Sequence, residues 1–427
     1  MIIHTVKLDE LISDIADFYN VTIEEIIELN KLPNPKNLLV GQSLIIPEKE
    51  TIHIVKPGET LYEISEKYGV SLEDLLIINN IESPYTLYSD TQLIIPYKQK
   101  PEIDVNAYIY NLGESAIPIV KERGKNLSFL SPFAYLIDEN GNLNKIKDKQ
   151  AINSAYEENV APMMTITNFT VNEKGENVAH IVLNDHRVQE KLIKNIVHII
   201  KEKEYKGLNV DFENVYPQDR ESYNRFLKLV VDRMHDEGYF VSTALAPKTS
   251  EEQMGQLYEA HDYKAHGDLA DFVILMTYEW GYRMGPPRAI SPINEIKKVL
   301  DYAVTVIPKD KIYFGFQIYA RDWLLPYKEG QEAETFSTQE AIKRAAKYGA
   351  EIKYDTVAQS PYYRYEDEKG RLHEVWFEDA RSAQSKFDLV KDYNLKGISY
   401  WVLGYPFPQN WELLNDNFNI KKFPYSN

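Results

Sequence analysis

Apolar and polar positions follow two rhythms along this chain. In the first hundred residues a short pattern of strand, helix, helix, strand occurs twice. Residues 3–47 and 52–96 align without a gap at an offset of 49, with 16 identities in 45 positions. The shared positions include Ile3/Ile52, His4/His53, Glu10/Glu59, Ile15/Ile64, Tyr19/Tyr68, Asn30/Asn79 and the closing Leu-Ile-Ile-Pro, which ends each copy at Pro47 and Pro96. In the second copy Pro57-Gly58 predicts a turn, and Leu61, Ile64 and Tyr68 have helical spacing. Ser71 predicts an N-cap, with Asp74 three residues on, before the apolar stripe Leu72, Leu75, Leu76. Leu93–Ile95 is the closing strand, and Pro96 ends it.

Beyond residue 102 the rhythm changes. Short apolar runs predict strands at Val105–Tyr110, Leu127–Leu136, Pro162–Asn168, Gly207–Glu213, Phe240–Ala246, Phe272–Thr277, Ile312–Tyr319 and Gly397–Val402. Helical periodicity marks Asp185–Lys203, Arg220–Glu237, Ile293–Ile307, Thr338–Tyr348 and Ala380–Tyr393. Eight strands with intervening helices over roughly 320 residues predict an α/β chain built as a (β/α)₈ barrel of TIM type. A doubly wound sheet is the alternative, and the count of eight favours the barrel. The expected organisation is therefore two small α+β modules, 1–48 and 50–97, followed by a barrel over 102–427. The linkers 48–51 and 97–102 are short and polar, neither rich in Gly nor in Ser, which predicts modules held rather than freely tethered.

Composition narrows the function classes. Of 427 residues, 44% are hydrophobic and 26% charged, the balance of a globular protein. A formal net charge of −17 repels phosphate backbones, so nucleic acid is not an expected partner. The first hundred residues hold 8 Lys, no Arg and 16 Asp plus Glu, so no basic patch hides there. Cysteine is absent, which removes disulfides, thiolate nucleophiles and cysteine-based metal sites. The nine histidines show no paired metal-ligand spacing, and no phosphate-binding glycine loop occurs, so neither metal nor cofactor is expected. Without an apolar run of about 18 residues, no membrane span is expected. The start, from Met1 to Lys7, lacks the basic and apolar segments of a secretion signal.

Chemistry concentrates in Gly207-Leu208-Asn209-Val210-Asp211-Phe212-Glu213. Side chains alternate along a strand, so Asn209, Asp211 and Glu213 face one way and Leu208, Val210 and Phe212 the other. In a barrel the polar set points into the lumen, with Glu213 at the carboxyl end where barrel enzymes keep their sites. Two inward carboxylates without a basic neighbour on the strand are costly to bury and are retained more readily for use than for stability. A chance Asp-x-Glu on a solvated edge strand is the alternative.

Three resemblances sharpen this reading. The words His53-Ile54-Val55-Lys56-Pro57-Gly58-Glu59-Thr60-Leu61, Tyr68-Gly69-Val70-Ser71, Asn79 and Leu93-Ile94-Ile95-Pro96 resemble the LysM domain; the first copy departs at Leu8-Asp9 and Asn20. The resemblance implies binding of N-acetylglucosamine-containing glycans, chiefly peptidoglycan and chitin. The barrel resembles glycoside hydrolase family 18, whose motif is Asp-x-x-Asp-x-Asp-x-Glu. Glu213 and Asp211 match its last two acids, whereas Asn209 and Lys206 replace the earlier two. Asn209 can hydrogen-bond Asp211 but cannot share a proton with it.

Met276-Thr277-Tyr278-Glu279-Trp280, Gly315-Phe316-Gln317-Ile318-Tyr319-Ala320-Arg321 and Gly397-Ile398-Ser399-Tyr400-Trp401 resemble later strands of the same family. The resemblance implies a retaining hydrolase whose substrate's own acetamido group attacks the anomeric carbon. Glu213 would be acid and then base, Asp211 would orient the acetamide, and Tyr278 would bind its oxygen. Trp401 would floor the sugar site, with Met276, Glu279, Gln317, Arg321, Tyr110 and Asn168 as further substrate-binding candidates; packing aromatics and surface pairs are their plain alternatives. Two LysM modules before such a barrel resemble spore-cortex N-acetylglucosaminidases, which implies cortex peptidoglycan as substrate and a spore location. A chitinase and a non-catalytic glycan-binding lectin are the competing readings.

Overall fold

The computed structural model describes every residue except 33, 50, 83, 97–99, 170–175 and 424–427. The predicted linkers fall partly outside the described residues, at 50 and at 97–99. Each N-terminal module pairs two antiparallel strands beneath two helices. In the first, β1 (Ile2–Thr5) pairs β2 (Ser43–Ile46), with α1 (Ile12–Tyr19) and α2 (Ile23–Asn30) between them. In the second, β3 (Thr51–Ile54) pairs β4 (Gln92–Ile95) around α3 (Leu61–Tyr68) and α4 (Leu72–Ile78).

The repeat in sequence is a repeat of the core. Val6, Ile15, Ile26, Leu44 and Ile46 pack in one module; Val55, Ile64, Leu75, Leu93 and Ile95, each 49 residues on, pack in the other. The repeated histidines have structural work. His4 sits between Glu10 (2.9 Å) and Tyr19 (3.2 Å), and His53 between Glu59 (2.7 Å) and Tyr68 (3.1 Å). Asn30 and Asn79 each bind the backbone of the closing strand, at Ile45 and Ile94. Ser71 caps α4 by accepting the Asp74 N–H at 3.0 Å.

The two modules are held differently. Ile45 is buried in the hydrophobic core shared with the barrel, and Ile3 and Leu29 pack on it. The Gln409 amide donates to Asn30 Oδ1 and the Ser43 carbonyl, both at 2.8 Å. Gly41 has φ +81°, and a Cβ there would stand 1.8 Å from the Ile352 carbonyl oxygen, so only glycine permits this approach. In the second module the counterparts of Ile3 and Leu29, namely Ile52 and Ile78, are exposed.

Eight parallel strands close a barrel: β5 (Glu102–Ile109), β6 (Phe129–Pro132), β8 (Ala161–Thr167), β9 (Gly207–Asp211), β10 (Phe240–Leu245), β11 (Phe272–Leu275), β12 (Ile312–Gln317) and β18 (Gly397–Leu403), which pairs back onto β5. The predicted strand at Leu127–Leu136 is broken into β6 and the two-residue β7 (Tyr135–Leu136). Pro132 lies at the break and offers no N–H to continue the ladder. Phe129, Phe272 and Tyr313 plug the amino end of the lumen. Among the described residues no helix is long and apolar enough to cross a membrane.

Residues 319–376 form a feature the strand–helix rhythm did not predict. Here β13 (Tyr319–Leu324), β14 (Glu334–Ser337), β15 (Lys353–Asp355), β16 (Ser360–Glu366) and β17 (Leu372–Trp376) make an antiparallel sheet in the order β14-β13-β17-β16-β15. The predicted helix Thr338–Tyr348 is present, but it packs on this sheet through Ala341 and Ala345 rather than on the barrel. The opposite face, through Trp323 and Trp376, leans on Ala289 and Ile290 after β11.

The docking contact is testable. Gly41→Ala should combine left-handed strain, about 1–3 kcal/mol, with loss of the contact at Ile352. Gly58→Ala, at φ +84° with open space around it, should carry only the strain. Scanning calorimetry should find the larger fall in Tm for Gly41→Ala; equal falls would show that the contact contributes nothing.

Candidate active site

Strand β9 sorts its side chains as the period of two requires. Leu208, Val210 and Phe212 pack outward, with the Phe212 ring stacked on Tyr223 (5.6 Å) and Phe226 (5.7 Å). Asn209, Asp211 and Glu213 are left to the lumen and mouth. Asp211 is 4% exposed, and its Oδ1 is buried without a hydrogen-bond partner among the described residues. Glu213 is half-buried. No cation among the described residues forms an ion pair with either carboxylate.

That isolation sets the protonation. Burial raises both acids above the ordinary carboxylate range, and the charges of Asp211 and then Glu279 raise Glu213 further. Two such acids share protons as a pair, so one proton is held above the range in which a free carboxyl would lose it.

Asn209 does not serve Asp211. Its Oδ1 accepts from Tyr108 Oη and its Nδ2 donates to Ser242 Oγ, both at 2.9 Å. Successive inward residues on a strand stand roughly 6.6 Å apart, which favours these cross-strand partners. Lys206 precedes β9, with its ammonium 5.6 Å from the Tyr156 ring centre. The two departures from the family motif thus put no charge beside Asp211.

Tyr278 lies just past β11, 7% exposed. Burial, with the charge of Asp211 among the lesser causes, holds its hydroxyl far above the usual tyrosine range, so it stays a donor. Its placement needs Gly315: a Cβ there would stand 2.2 Å from the Leu275 carbonyl oxygen and 3.0 Å from Tyr278 Cε1. Trp401, half-buried near the end of β18, is flanked edge-on by Phe133 (4.9 Å), Tyr110 (5.2 Å) and Tyr108 (5.3 Å). Tyr110 is 50% exposed and reaches into the field of Asp211 and Glu213. Met276, half-buried, follows β11 directly.

Other sequence candidates take supporting positions. Glu279 receives both terminal nitrogens of Arg321 at 2.8 Å and the hydroxyl of Tyr319. Arg321 also donates to the Gly281 carbonyl. This fork ties the β13 sheet to the turn after Tyr278. Asn168 is fully buried and clamps Glu213 through its backbone, accepting the N–H at 2.9 Å and donating to the carbonyl at 2.8 Å. Gln317 has no exposed surface and donates to Glu378, whose other oxygen is held by Lys386 at 2.6 Å. Its Oε1 is buried without a hydrogen-bond partner among the described residues.

The reading of sequence missed Tyr108 and Phe133. Tyr108 was within reach, because it lies two residues before Tyr110 on one strand face. Phe133 meets Trp401 only through the closure of the barrel.

A buried acid pair at the mouth of a (β/α)₈ barrel, beside an aromatic floor and a tyrosine donor, is the equipment of a glycosidase. Residues 128–405 match the model for Glycosyl hydrolases family 18, and residues 4–47 and 53–96 each match the LysM domain. The chain belongs to glycosyl hydrolase family 18; it is a glycoside hydrolase with two LysM domains. It is 50% identical to the cortical fragment-lytic enzyme of Bacillus subtilis (strain 168) over 427 residues, covering 99% of each chain. The crystal structure of the Bacillus megaterium QM B1551 spore cortex-lytic enzyme SleL matches with a TM-score of 0.87 at 40% identity, covering 99% of both chains. A chitinase from Chromobacterium violaceum ATCC 12472 shares the fold, with a TM-score of 0.69 at 24% identity over 74% of this chain and 98% of that one.

Electrostatics at the pair yields a signed prediction. Glu279→Gln removes a negative charge that raises Glu213 and leaves Arg321 unneutralised. Both changes favour ionised Glu213, so the alkaline limb of the kcat/KM profile should move to lower pH. An unchanged or higher limb would show that Glu279 does not act on Glu213.

Proposed function

We propose that this chain is a retaining, substrate-assisted β-N-acetylglucosaminidase that hydrolyses peptidoglycan, with spore-cortex fragments as its substrate and the spore as its place of work. The isolated Asp211–Glu213 pair carries the reading. Glu213, kept protonated by burial and by its neighbour, donates to the glycosidic oxygen and then, ionised, takes a proton from water. Asp211 orients the substrate's acetamido group and balances the charge that develops as its carbonyl oxygen attacks the anomeric carbon. No enzyme nucleophile is needed, and the intermediate is an oxazolinium ion. Tyr278 holds the acetamido oxygen, and Trp401 gives the sugar an apolar floor. This chemistry needs no metal or cofactor.

The LysM modules hold the enzyme on insoluble glycan and raise the local substrate concentration. The cortex assignment draws its support from whole-length similarity to the cortical fragment-lytic enzyme of Bacillus subtilis and to SleL. The chitinase likeness supports the fold alone.

Mass spectrometry of fragments released from spore-cortex peptidoglycan and from chitin oligomers tests the reading. The native protein should create N-acetylglucosamine reducing ends from cortex, and Glu213→Gln should lower that turnover about 10²–10⁴-fold without loss of fold. Cleavage of chitin alone would make it a chitinase. Binding of both glycans without cleavage would make it a lectin.

A further inference from the structure

Behind the mouth lies a buried polar cluster that the acid–base chemistry does not use. It surrounds the two residues that carry β9 out of the barrel wall. The ladder between β9 and β10 ends at Val210 and Thr243, and that between β9 and β8 at Asp211 and Thr167. Phe212 and Glu213 therefore lie beyond both ladders, at the point where the general acid must be held most firmly.

Side chains replace the missing rungs. On the β8 side Asn168 takes the Glu213 N–H and returns a bond to the Glu213 carbonyl. On the β10 side the replacement is His261. Its Nδ1 accepts the Ala246 N–H at 2.7 Å, so the ring proton resides on Nε2, which donates to the Phe212 carbonyl at 2.9 Å. The ring accepts on one edge and donates on the other, as a peptide unit of an intervening strand would. Burial lowers its pKa to about 4, so the imidazole is neutral near pH 7.

The cluster braces the ring in turn. The His261 carbonyl accepts from Nζ of Lys248 at 3.2 Å, a lysine with no exposed surface. The Tyr263 hydroxyl donates to the Ala246 carbonyl at 2.7 Å and accepts the Lys248 N–H at 2.9 Å, which fixes the segment that presents the Ala246 N–H.

The Phe212 carbonyl and the Glu213 N–H are opposite edges of one planar peptide. His261 holds the first edge and Asn168 the second, so the plane cannot rotate. We propose that His261 is a positioning residue for Glu213, fixing through this peptide the direction from which the acid meets the glycosidic oxygen. The inference rests on the reading of Glu213 as proton donor, and it assigns a role to a residue 48 positions away that touches no substrate.

The test compares His261→Gln with His261→Asn in the full chain, on the glycan that the native protein cleaves. A glutamine amide has the reach to accept from Ala246 and donate to Phe212; asparagine is one methylene shorter. His261→Asn should lower kcat about tenfold to hundredfold with KM within about twofold, the scale of a misplacement near 1 Å. Its alkaline limb should move to lower pH, because a freer Glu213 is better solvated. His261→Gln should restore most of kcat and the limb.

A folded His261→Asn with native kcat and pH profile would overturn the proposal. So would a fall in Tm with kcat per folded molecule and pH profile unchanged, or failure of both variants to fold, since the bridge would then serve stability alone. Absence of turnover by the native protein would instead fault the reading of the enzyme.

Discussion

Two carboxylates two residues apart at the end of one strand, Asp211 buried and Glu213 half-buried, with no counter-ion among the described residues, are the constraint on which this molecule is built. A buried ionised acid is strongly penalised, and a second one beside it more so. Among the described residues no cation pairs with either acid to relieve the penalty. Asn209, Tyr108 and Ser242 fill the lumen beneath the pair with neutral groups that satisfy one another. The fork of positive charge on Arg321 is neutralised by Glu279. In the proposed mechanism this holds acidity in reserve for a substrate that brings positive charge as it reacts. The fold supplies the rigidity this requires, through outward packing of Phe212 and the grip of Asn168 on the Glu213 backbone.

The duplication near the amino end shows one sequence pattern used in two ways. The same core, the same His–Glu–Tyr linkage and the same asparagine clamp build both modules. The first presents Ile3, Leu29 and Ile45 to the barrel and is fixed there by Gly41 and Gln409. The second keeps the corresponding Ile52 and Ile78 exposed. An expectation that both modules are held is met by these contacts for the first.

Much of this was legible in sequence, for physical reasons. Barrel strands buried on both sides read as short apolar runs, and the period of two placed Asp211 and Glu213 on one inward face. Tyr278 and Trp401 were legible because they sit at strand ends beside matched motifs. The antiparallel sheet over 319–376 was not, because β13 follows β12 after one residue and reads as its continuation. At the same junction the Gln317 amide goes to Glu378, a partner 61 residues on that strand patterning does not reveal. The bridge from His261 to Phe212 could not be read at all, since it spans 49 residues and depends on where two ladders end.

In the proposed mechanism the substrate, rather than the protein, supplies the nucleophile above Asp211. Proton NMR of the product's anomeric centre, followed from the first turnovers, tests this most directly when paired with a substrate whose 2-acetamido group is replaced by hydroxyl. Under this mechanism the β-anomer forms first and the deacetamido substrate is not cleaved. First appearance of the α-anomer, or undiminished cleavage of the deacetamido substrate, would contradict it.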